Sequence, residues 1–127
     1  MKIKFKNILV GADKRLHLKK EVAEREFTES EISAAFGYTL KKLREHKGLS
    51  LNALSKEVDI PNPTINRYEN GINIPTITQA VKLADYFDLS IELFIAMGLA
   101  AIYENMDIIA QFEKLERAMI LARAKKP

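Results

Sequence analysis

The sequence predicts an all-α protein, and three observations support this fold class. Apolar residues recur at steps of three and four along most of the chain, as they do on one face of a helix. Hydroxyl side chains that suit helix N-caps stand directly before four of these repeats, at Thr28, Ser50, Thr76 and Ser90. Glycines that suit the left-handed residue after a helix end two of the repeats, at Gly48 and Gly71.

Composition limits the classes of protein that the chain can represent. Its 127 residues are 47% hydrophobic and 29% charged and include no cysteine, which is typical of a globular domain and removes disulfides and thiolate metal sites. No secretion signal is recognisable at the N-terminus. Charge-free stretches such as 93–103 are much shorter than the roughly 20 residues of a membrane-spanning helix. We therefore expect a cytoplasmic protein that does not enter a membrane.

The first 30 residues are predicted to form a basic extension. Residues 1–20 contain seven Lys and Arg residues and one acidic residue, whereas residues 37–97 contain seven of each sign. Lysines alternate with apolar residues over 2–6, which predicts a short strand, and 13–27 has the charged pattern of a short surface helix. Such a basic arm favours a polyanionic or acidic partner, although charge runs are also typical of a solvated surface.

Two helices are predicted in the first part of the body of the chain. Thr28 and Glu31 have the spacing of a capping box, in which each side chain bonds to the backbone N–H of the other residue. This box opens a helix that ends near His46. Ser50 then offers an N-cap hydroxyl for a second helix over 51–58.

Two more helices are predicted on either side of the loop 71–75. Asn62 is expected to cap the first of them, with Pro63 in the first helical position, where its missing N–H costs nothing. Thr76 and Gln79 form a second capping-box pair and open the next helix. Its buried stripe is predicted to consist of apolar residues at helical spacing: Ile77, Val81, Ala84 and Phe87.

The C-terminal part is predicted to contain one short and one long helix. Ser90 caps the short helix, and beyond Gly98 a helical pattern continues to about Ala124. Apolar residues of the long helix form a continuous seam that includes Leu99, Ile102, Met106, Ile109 and Phe112. Because the preceding helices already have apolar faces of their own, we expect this seam to pair two copies of the chain. The alternative is that the helix folds back on its own domain.

Two short helices joined by a tight turn have the arrangement of a helix-turn-helix motif. They lie in a stretch whose elements follow a fixed order: LKKLREHKGLS, Leu54-Ser55, RYENG, Pro75 and KLADYFDLSIELF. With these elements the stretch from about Phe36 to Leu93 resembles the lambda-repressor-like family of phage repressors, Cro proteins and bacterial XRE-type regulators. The resemblance implies a five-helix DNA-binding domain, 31–97, between the extension 1–30 and the C-terminal helix 98–127.

The resemblance also implies roles for the third helix of this domain. Ile65 and Tyr68 have the spacing to face the core, which leaves the other faces for a ligand. Asn62 and Arg67 align with family positions that read bases, a role that suits a carboxamide on adenine and a guanidinium on guanine. Further DNA contacts are expected from polar residues on and around this helix: Ser50, Lys47, Thr64, Asn66, Asn70 and Asn73.

Arg44 and Glu69 stand where the family has an ion pair between the first and third helices. We expect this pair to fix the positions of the two helices and not to contact DNA.

Three residues depart from the family pattern. Leu51 replaces the usual phosphate-binding Gln, Pro63 stands where a base-reading side chain is common, and Ile72 begins a loop without the usual Lys or Arg. Because residues 37–97 have no net charge and lack these cationic contacts, we expect a single copy of this domain to bind DNA weakly. Paired subunits, the basic arm, or both are then needed for useful affinity.

The function that we predict from the sequence is sequence-specific binding of double-stranded DNA by a dimeric transcriptional repressor. The sequence contains no P-loop, dinucleotide-binding glycine pattern, HExxH motif or nucleophile with a nearby base, so no enzyme, metal or cofactor is expected. Two alternatives stay open. In the first, the chain is a DNA-binding antitoxin, one of whose extensions binds a toxin. In the second, it is a protein-interaction module whose helix-turn-helix no longer reads DNA.

Overall fold

The computed structural model describes residues 2–4 and 25–124. Within these residues the elements, in chain order, are β1 Lys2–Lys4, β2 Glu26–Thr28, α1 Glu29–His46, α2 Leu51–Val58, α3 Asn62–Glu69, α4 Ile77–Tyr86, α5 Ile91–Glu104 and α6 Ile108–Ala124. The predicted all-α fold class is confirmed. In the part of the chain that the structure describes, five helices precede residue 105 and a sixth follows it.

A two-stranded ribbon joins the beginning of the chain to the beginning of α1. β1 pairs antiparallel with β2, and Ile3 lies opposite Phe27. Phe27 is fully buried, and its ring centroid lies 5.2 Å from that of Tyr103 in α5. The ribbon is therefore attached to the helical core through Phe27.

The ribbon confirms one prediction for the extension and corrects another. The strand predicted for 2–6 is present at 2–4. The helix predicted for 13–27 is wrong at its end, because Glu26 and Phe27 belong to β2. Burial of an aromatic ring against α5 outweighs the local charge pattern there. The remaining part of both predictions, between residues 5 and 24, lies outside the described residues.

Hydroxyl caps begin four of the helices, as predicted. At α1 the capping box is complete: Thr28 Oγ1 accepts from the N–H of Glu31 at 3.2 Å, and Glu31 Oε1 accepts from the N–H of Thr28 at 2.9 Å. The other three hydroxyls each accept from the N–H three residues further on: Ser50, Thr76 and Ser90. Gly48 follows α1 with φ +68°, which is the left-handed conformation expected there.

The central helix α1 packs against both α3 and α5. Two glycines make these contacts close. A Cβ atom at Gly37 would stand 2.1 Å from the carbonyl oxygen of Tyr68 in α3. A Cβ atom at Gly98 would stand 2.1 Å from the carbonyl oxygen of Ala35 in α1. Any larger residue at either position would push two backbones apart.

The C-terminal part differs from the prediction of a long helix that starts after Gly98. Gly98 lies inside α5, which continues to Glu104. Asn105 then adopts the left-handed conformation with φ 54° and ends the helix. Asp107 Oδ1 accepts from the N–H groups of Ile109 and Ala110 at 3.0 and 3.2 Å, which starts α6. The predicted continuous helix is wrong because these two polar residues close one helix and cap the next.

The apolar seam of the C-terminal part lies largely in the core of its own chain. Leu99 and Phe112 are buried, and Met106 and Ile109 are partly buried and pack against the core. Ile102 alone of the five seam residues is exposed, at 40%. The fold-back alternative therefore describes α6, and a dimer through this seam would have to remove core residues from their contacts. Homodimer formation itself stays a prediction.

The buried stripe of α4 also differs from the prediction. Ile77 is 81% exposed and Val81 is 48% exposed. The residues that α4 and its C-cap bury are Ala80, Leu83, Ala84 and Phe87. Two overlapping stripes are present in this sequence, and the fold buries the one that contains both Leu83 and Phe87.

Among residues 2–4 and 25–124 no single helix is both long and apolar enough to cross a membrane. In the same residues α4 and α5 reach the required length and composition only when they are taken together, and the angle of the bend between them is 78°. In the same residues no group of three His, Cys, Asp or Glu side chains could hold a metal ion.

Candidate nucleic-acid interface

A tight turn fixes α2 relative to α3. The turn begins at Asp59, which is left-handed with φ 54° and ψ 52° and forms the C-cap of α2. Ser55 Oγ then donates to the carbonyl of Ile60 at 2.6 Å. Leu54, Ile60 and Ile65 are all buried between the helices. The two helices and their turn therefore form one packed unit.

The start of α3 corrects the predicted cap. Pro61 is the N-cap residue, Asn62 is the first helical residue, and Pro63 is the second. The amide of Asn62 is consequently not used as a cap, and its Nδ2 donates to Oδ1 of Asn52 in α2. The structure thus brings Asn62 to the surface where the two helices meet.

One side of α3 is buried and the other presents polar groups. Ile65 and Tyr68 are buried, as predicted. The remaining residues of the helix and its C-cap that were predicted to contact DNA are exposed or partly exposed: Asn62, Thr64, Asn66, Arg67 and Asn70. Asn70 Nδ2 donates to the carbonyl and to Oδ1 of Asn66, at 2.8 and 3.2 Å. The exposed side therefore offers several amides and one guanidinium.

Arg44 and Glu69 form a bidentate ion pair that ties α1 to the last turn of α3. Arg44 Nε donates to Glu69 Oε2 at 2.6 Å, and Nη2 donates to Oε1 at 3.0 Å. Arg44 Nη1 also donates to the carbonyl of Leu49 at 2.8 Å. The side chains are only 13% and 3% exposed, and the hydrogen bond to Glu69 raises the pKa of Arg44. The charges of Arg44 and Glu69 therefore neutralise each other within the protein.

Tyr68 connects α3 to α4. Its hydroxyl donates to Gln79 Oε1, and burial raises the pKa of Tyr68. Gln79 donates its backbone N–H to Thr76 Oγ1 at 3.2 Å, so Thr76 caps α4 as predicted. The reciprocal half of the predicted second capping box is wrong, because the side chain of Gln79 bonds to Tyr68.

The loop after α3 is held against α1. Gly71 is left-handed, with φ +69°, and the N–H of Ile72 donates to the carbonyl of Arg67 at 3.0 Å. This is the hydrogen-bond pattern of a helix that ends in a left-handed glycine. Ser33 Oγ lies 3.4 Å from the carbonyl oxygens of both Gly71 and Asn73. Asn73 is thereby held close to the end of α3 with an exposed side chain.

A groove of about 350 Å³ lies between α1 and the end of α3, and we call it the basic groove. Its lining includes Tyr38, Lys41 and Lys42 from α1 and Asn70 from the end of α3. Lys42 Nζ lies 5.6 Å from the ring centroid of Tyr38. Glu69 also lines the groove, but its charge is already neutralised by Arg44. From the sequence, both lysines were recognised only as charges near the outer side of the first helix, and they were not included among the predicted site residues.

Two residues predicted to contact DNA also make contacts within the protein. Lys47 Nζ lies 5.1 Å from the ring centroid of Tyr86 and 5.6 Å from that of Phe87, at the end of α4. Ser50 Oγ accepts from the N–H of Ala53 at 3.0 Å and so caps α2. The contacts that the structure shows for Lys47 Nζ are thus with the end of α4, and its contact with DNA stays a prediction.

The packed pair α2 and α3, with its tight turn and its half-exposed second helix, defines a helix-turn-helix domain. Comparison with known proteins agrees: residues 40–94 match the family described as helix-turn-helix. The resemblance seen in the sequence is confirmed for this segment. Over 55 residues the chain is 42% identical to a Methanocella arvoryzae protein that is named as an HTH-type transcriptional regulatory protein. That match covers 43% of this chain and only 17% of the relative.

Proposed function

We propose that residues 31–97 bind double-stranded DNA in a sequence-dependent manner, with the exposed side of α3 in the major groove. The observation that carries this proposal is that α3 buries Ile65 and Tyr68 and presents Asn66 and Arg67 to solvent. An α-helix fits the major groove of B-DNA, where amides pair with adenine and guanidinium groups with guanine. The polar side of α3 has the chemistry that this ligand requires.

The anchoring of α3 at both ends supports the proposal. Ser55 closes the turn before α3 through its bond to the carbonyl of Ile60. Arg44 holds the last turn through Glu69. A helix that is already fixed loses little conformational entropy when it binds, so more of its contact energy appears as affinity.

The lysines of the basic groove supply the sequence-independent part of the affinity in this proposal. Lys41 and Lys42 line a groove that also contains Asn70 at the end of α3. Two cations and an amide side chain suit the phosphates that flank the bases beside the helix. Each phosphate neutralised by such a cation releases counterions, which makes the affinity fall steeply with salt.

We infer that this binding regulates transcription, with repression as its outcome. A protein in the major groove of a promoter competes with RNA polymerase for the same DNA. The name of the Methanocella arvoryzae relative supports a regulatory role for the matched segment. A chromosomal ligand also agrees with the cytoplasmic location expected from the sequence.

Selection from a pool of random duplexes tests the proposal. Duplexes that the full chain retains at increasing salt are sequenced, and the enriched sequence is titrated by fluorescence anisotropy. We expect one enriched motif and a linear fall of log affinity with log salt concentration. A pool from which no motif is enriched would contradict groove reading. Complete absence of salt-sensitive duplex binding would instead favour the protein-interaction alternative.

A further inference from the structure

The basic groove contains an apolar part that a DNA phosphate does not need. Tyr38 and Ile102 line it and are 37% and 40% exposed. Single exposed apolar residues are common on proteins, but these two meet in one concave site. Phosphates are bound by cations and hydrogen-bond donors, so Lys41 and Lys42 are sufficient for the DNA contact proposed above. The ring of Tyr38 and the side chain of Ile102 are left for a different ligand.

The basic groove has the size and the fixed walls of a small-molecule site. Its volume of about 350 Å³ lies within the range of about 300–1,000 Å³ that is typical of ligand pockets. Arg44 of α1 holds Glu69 of α3 through two hydrogen bonds, which fixes the two helices to each other. Gly71 packs closely on α1, since a Cβ atom there would stand 3.3 Å from Ala34 Cα. The groove is therefore formed before a ligand binds.

The charge of the basic groove favours an anion. Among the described residues that line it, Lys41 and Lys42 are cationic and Glu69 alone is acidic. Arg44 pairs with Glu69, whose side chain is only 3% exposed, so this carboxylate does not balance the lysines. Two cations at a concave surface attract a negatively charged ligand.

A cation and a ring of the groove are close enough to bind one molecule together. Lys42 Nζ lies 5.6 Å from the ring centroid of Tyr38. Paired aromatic rings prefer centroid separations of about 4.5–7 Å, so a ring placed against Tyr38 brings its own carboxylate or phosphate group within reach of Nζ. Ile102 adds apolar surface for the same ring. An aromatic anion matches all three side chains.

We propose that the basic groove is an effector site for a small aromatic anion. The ring of this anion contacts Tyr38 and Ile102, and its negative group binds Lys41 and Lys42. Nucleoside monophosphates and aromatic carboxylates share this chemistry. Binding of the anion needs no DNA, whereas its effect on DNA rests on the proposed function, in which the same lysines contact phosphates.

An anion in the basic groove lowers the affinity of the domain for DNA. Its negative group neutralises Lys41 and Lys42, which otherwise bind phosphates, and its charge repels the DNA backbone. By linkage, the effector weakens DNA binding by the same factor by which DNA weakens effector binding. The DNA-binding domain then carries its own site for release from DNA.

Calorimetric titration of the full chain without DNA tests the effector site. The probes are adenosine 5′-monophosphate and indole-3-acetate, one from each class of aromatic anion. The controls, at the same ionic strength, are adenosine, which has no negative group, and inorganic phosphate and acetate, which have no ring. We expect at least one probe to bind about tenfold more tightly than its controls, because only the probe uses both parts of the groove. Equal binding of probes and controls, or no binding of either probe, would overturn the proposal.

Matched variants test whether the probe lies in the basic groove. Ile102→Glu places a carboxylate in its apolar part, and Ile120→Glu makes the same change on α6, where Ile120 is 57% exposed outside the groove. Circular dichroism verifies that both variants fold. We expect Ile102→Glu to weaken probe binding about tenfold, since it removes apolar contact and adds a like charge, and Ile120→Glu to bind like the parent chain.

The double variant Lys41→Gln with Lys42→Gln leaves the apolar part intact and should also weaken probe binding. It decides the outcome if Ile102→Glu does not fold. Parent-like probe binding by this double variant, or equal probe binding by the folded Ile102→Glu and Ile120→Glu variants, would overturn the proposal.

The selected duplex then tests the effect on DNA. A saturating probe should raise the apparent Kd of the duplex about fivefold or more, and inorganic phosphate at the same ionic strength should not. Unchanged duplex affinity at saturation would overturn the effector role. A failure of the proposed function is distinguishable, because the titration without DNA still shows probe binding when no duplex is selected.

Discussion

Gly37 of α1 lies directly against the carbonyl oxygen of Tyr68, at a distance where even a methyl group could not fit. A Cβ atom at position 37 would stand 2.1 Å from that oxygen. Tyr68 belongs to the last turn of α3, the helix that carries the candidate DNA-reading residues. The position of α3 therefore depends on a residue that has no side chain.

Gly37→Ala is predicted to lower both stability and DNA affinity. Alanine favours a helix over glycine by about 1 kcal/mol, but the methyl group must displace α3, and overpacking of this kind costs about 1–3 kcal/mol. We expect a net fall in the melting temperature and weaker binding of the selected duplex.

Gly98→Ala is the control for this prediction. Its Cβ would meet the carbonyl oxygen of Ala35 at the same 2.1 Å, but it would displace α5 and not α3. This variant should lose stability and keep most of its DNA affinity at a temperature where it is folded. An unchanged melting temperature of Gly37→Ala would contradict the packing argument.

Glu69→Ala is predicted to destabilise the protein. The change leaves the guanidinium of Arg44, only 13% exposed, without its carboxylate. Loss of one partner of a buried pair costs about 3 kcal/mol, which denaturant unfolding measures directly. Glu45→Ala, which removes an exposed carboxylate beside Arg44, should have a small effect.

The double variant Arg44→Met with Glu69→Leu removes both charges and keeps side chains of similar volume. It therefore separates the cost of an unpaired charge from the cost of lost packing. Apolar side chains of similar volume often replace a buried ion pair without loss of stability. We expect most of the stability lost in Glu69→Ala to return. Weaker DNA binding by Glu69→Ala with an unchanged melting temperature would contradict the scaffold role of this pair.

The pH dependence of stability is predicted to change in Tyr103→Phe. The hydroxyl of Tyr103 donates to Glu31 Oε2, and this bond, followed by the bond from the N–H of Thr28, lowers the pKa of Glu31. A lowered folded-state pKa stabilises the protein above the unfolded pKa of Glu, about 4.3. This stabilisation is lost as the pH falls through the folded-state pKa.

Unfolding of Tyr103→Phe by denaturant, from neutral pH down to about pH 3, measures the effect. The variant should be less stable than the parent chain near neutral pH, and the difference should shrink as Glu31 becomes protonated. Tyr38→Phe is the control, since Tyr38 is 37% exposed on another part of α1. A difference that stays constant over this pH range would show that the Tyr103 bond does not act on the ionised carboxylate.

Lys41→Gln with Lys42→Gln is predicted to flatten the salt dependence of DNA binding. If both lysines contact phosphates, the slope of log affinity against log salt should fall in magnitude by about 1.8. Sequence preference should be retained, because these contacts carry no base information. Lys114→Gln with Arg117→Gln removes two exposed charges from α6 and should leave the slope unchanged. Equal slopes for both double variants would exclude the basic groove from DNA binding.

The features that the sequence predicted well are local. Thr28, Ser50, Thr76 and Ser90 cap the helices where expected, because a cap depends on a residue and the backbone three positions away. The ion pair of Arg44 with Glu69 is not local, and it was placed by family resemblance.

The features that the sequence predicted poorly depend on tertiary packing. α4 has two overlapping apolar stripes, and periodicity alone could not show that Leu83 would be buried and Ile77 exposed. The C-terminal seam was continuous in spacing, but Asn105 and Asp107 interrupt the helix and allow α6 to fold back. The position of Lys47 Nζ beside the rings at the end of α4 was likewise not predicted, because it depends on how α1 and α4 pack.

Base reading by Arg67 is the central claim, and one titration series tests it most directly. Arg67→Ala and its control Arg117→Ala, an exposed arginine on α6, are titrated with the selected duplex and with duplexes that carry single base-pair changes. The account predicts that Arg67→Ala loses about 1–3 kcal/mol on the selected duplex and no longer discriminates at one base pair, while Arg117→Ala behaves like the parent chain. Equal affinity and undiminished discrimination in Arg67→Ala would contradict the placement of α3 in the major groove.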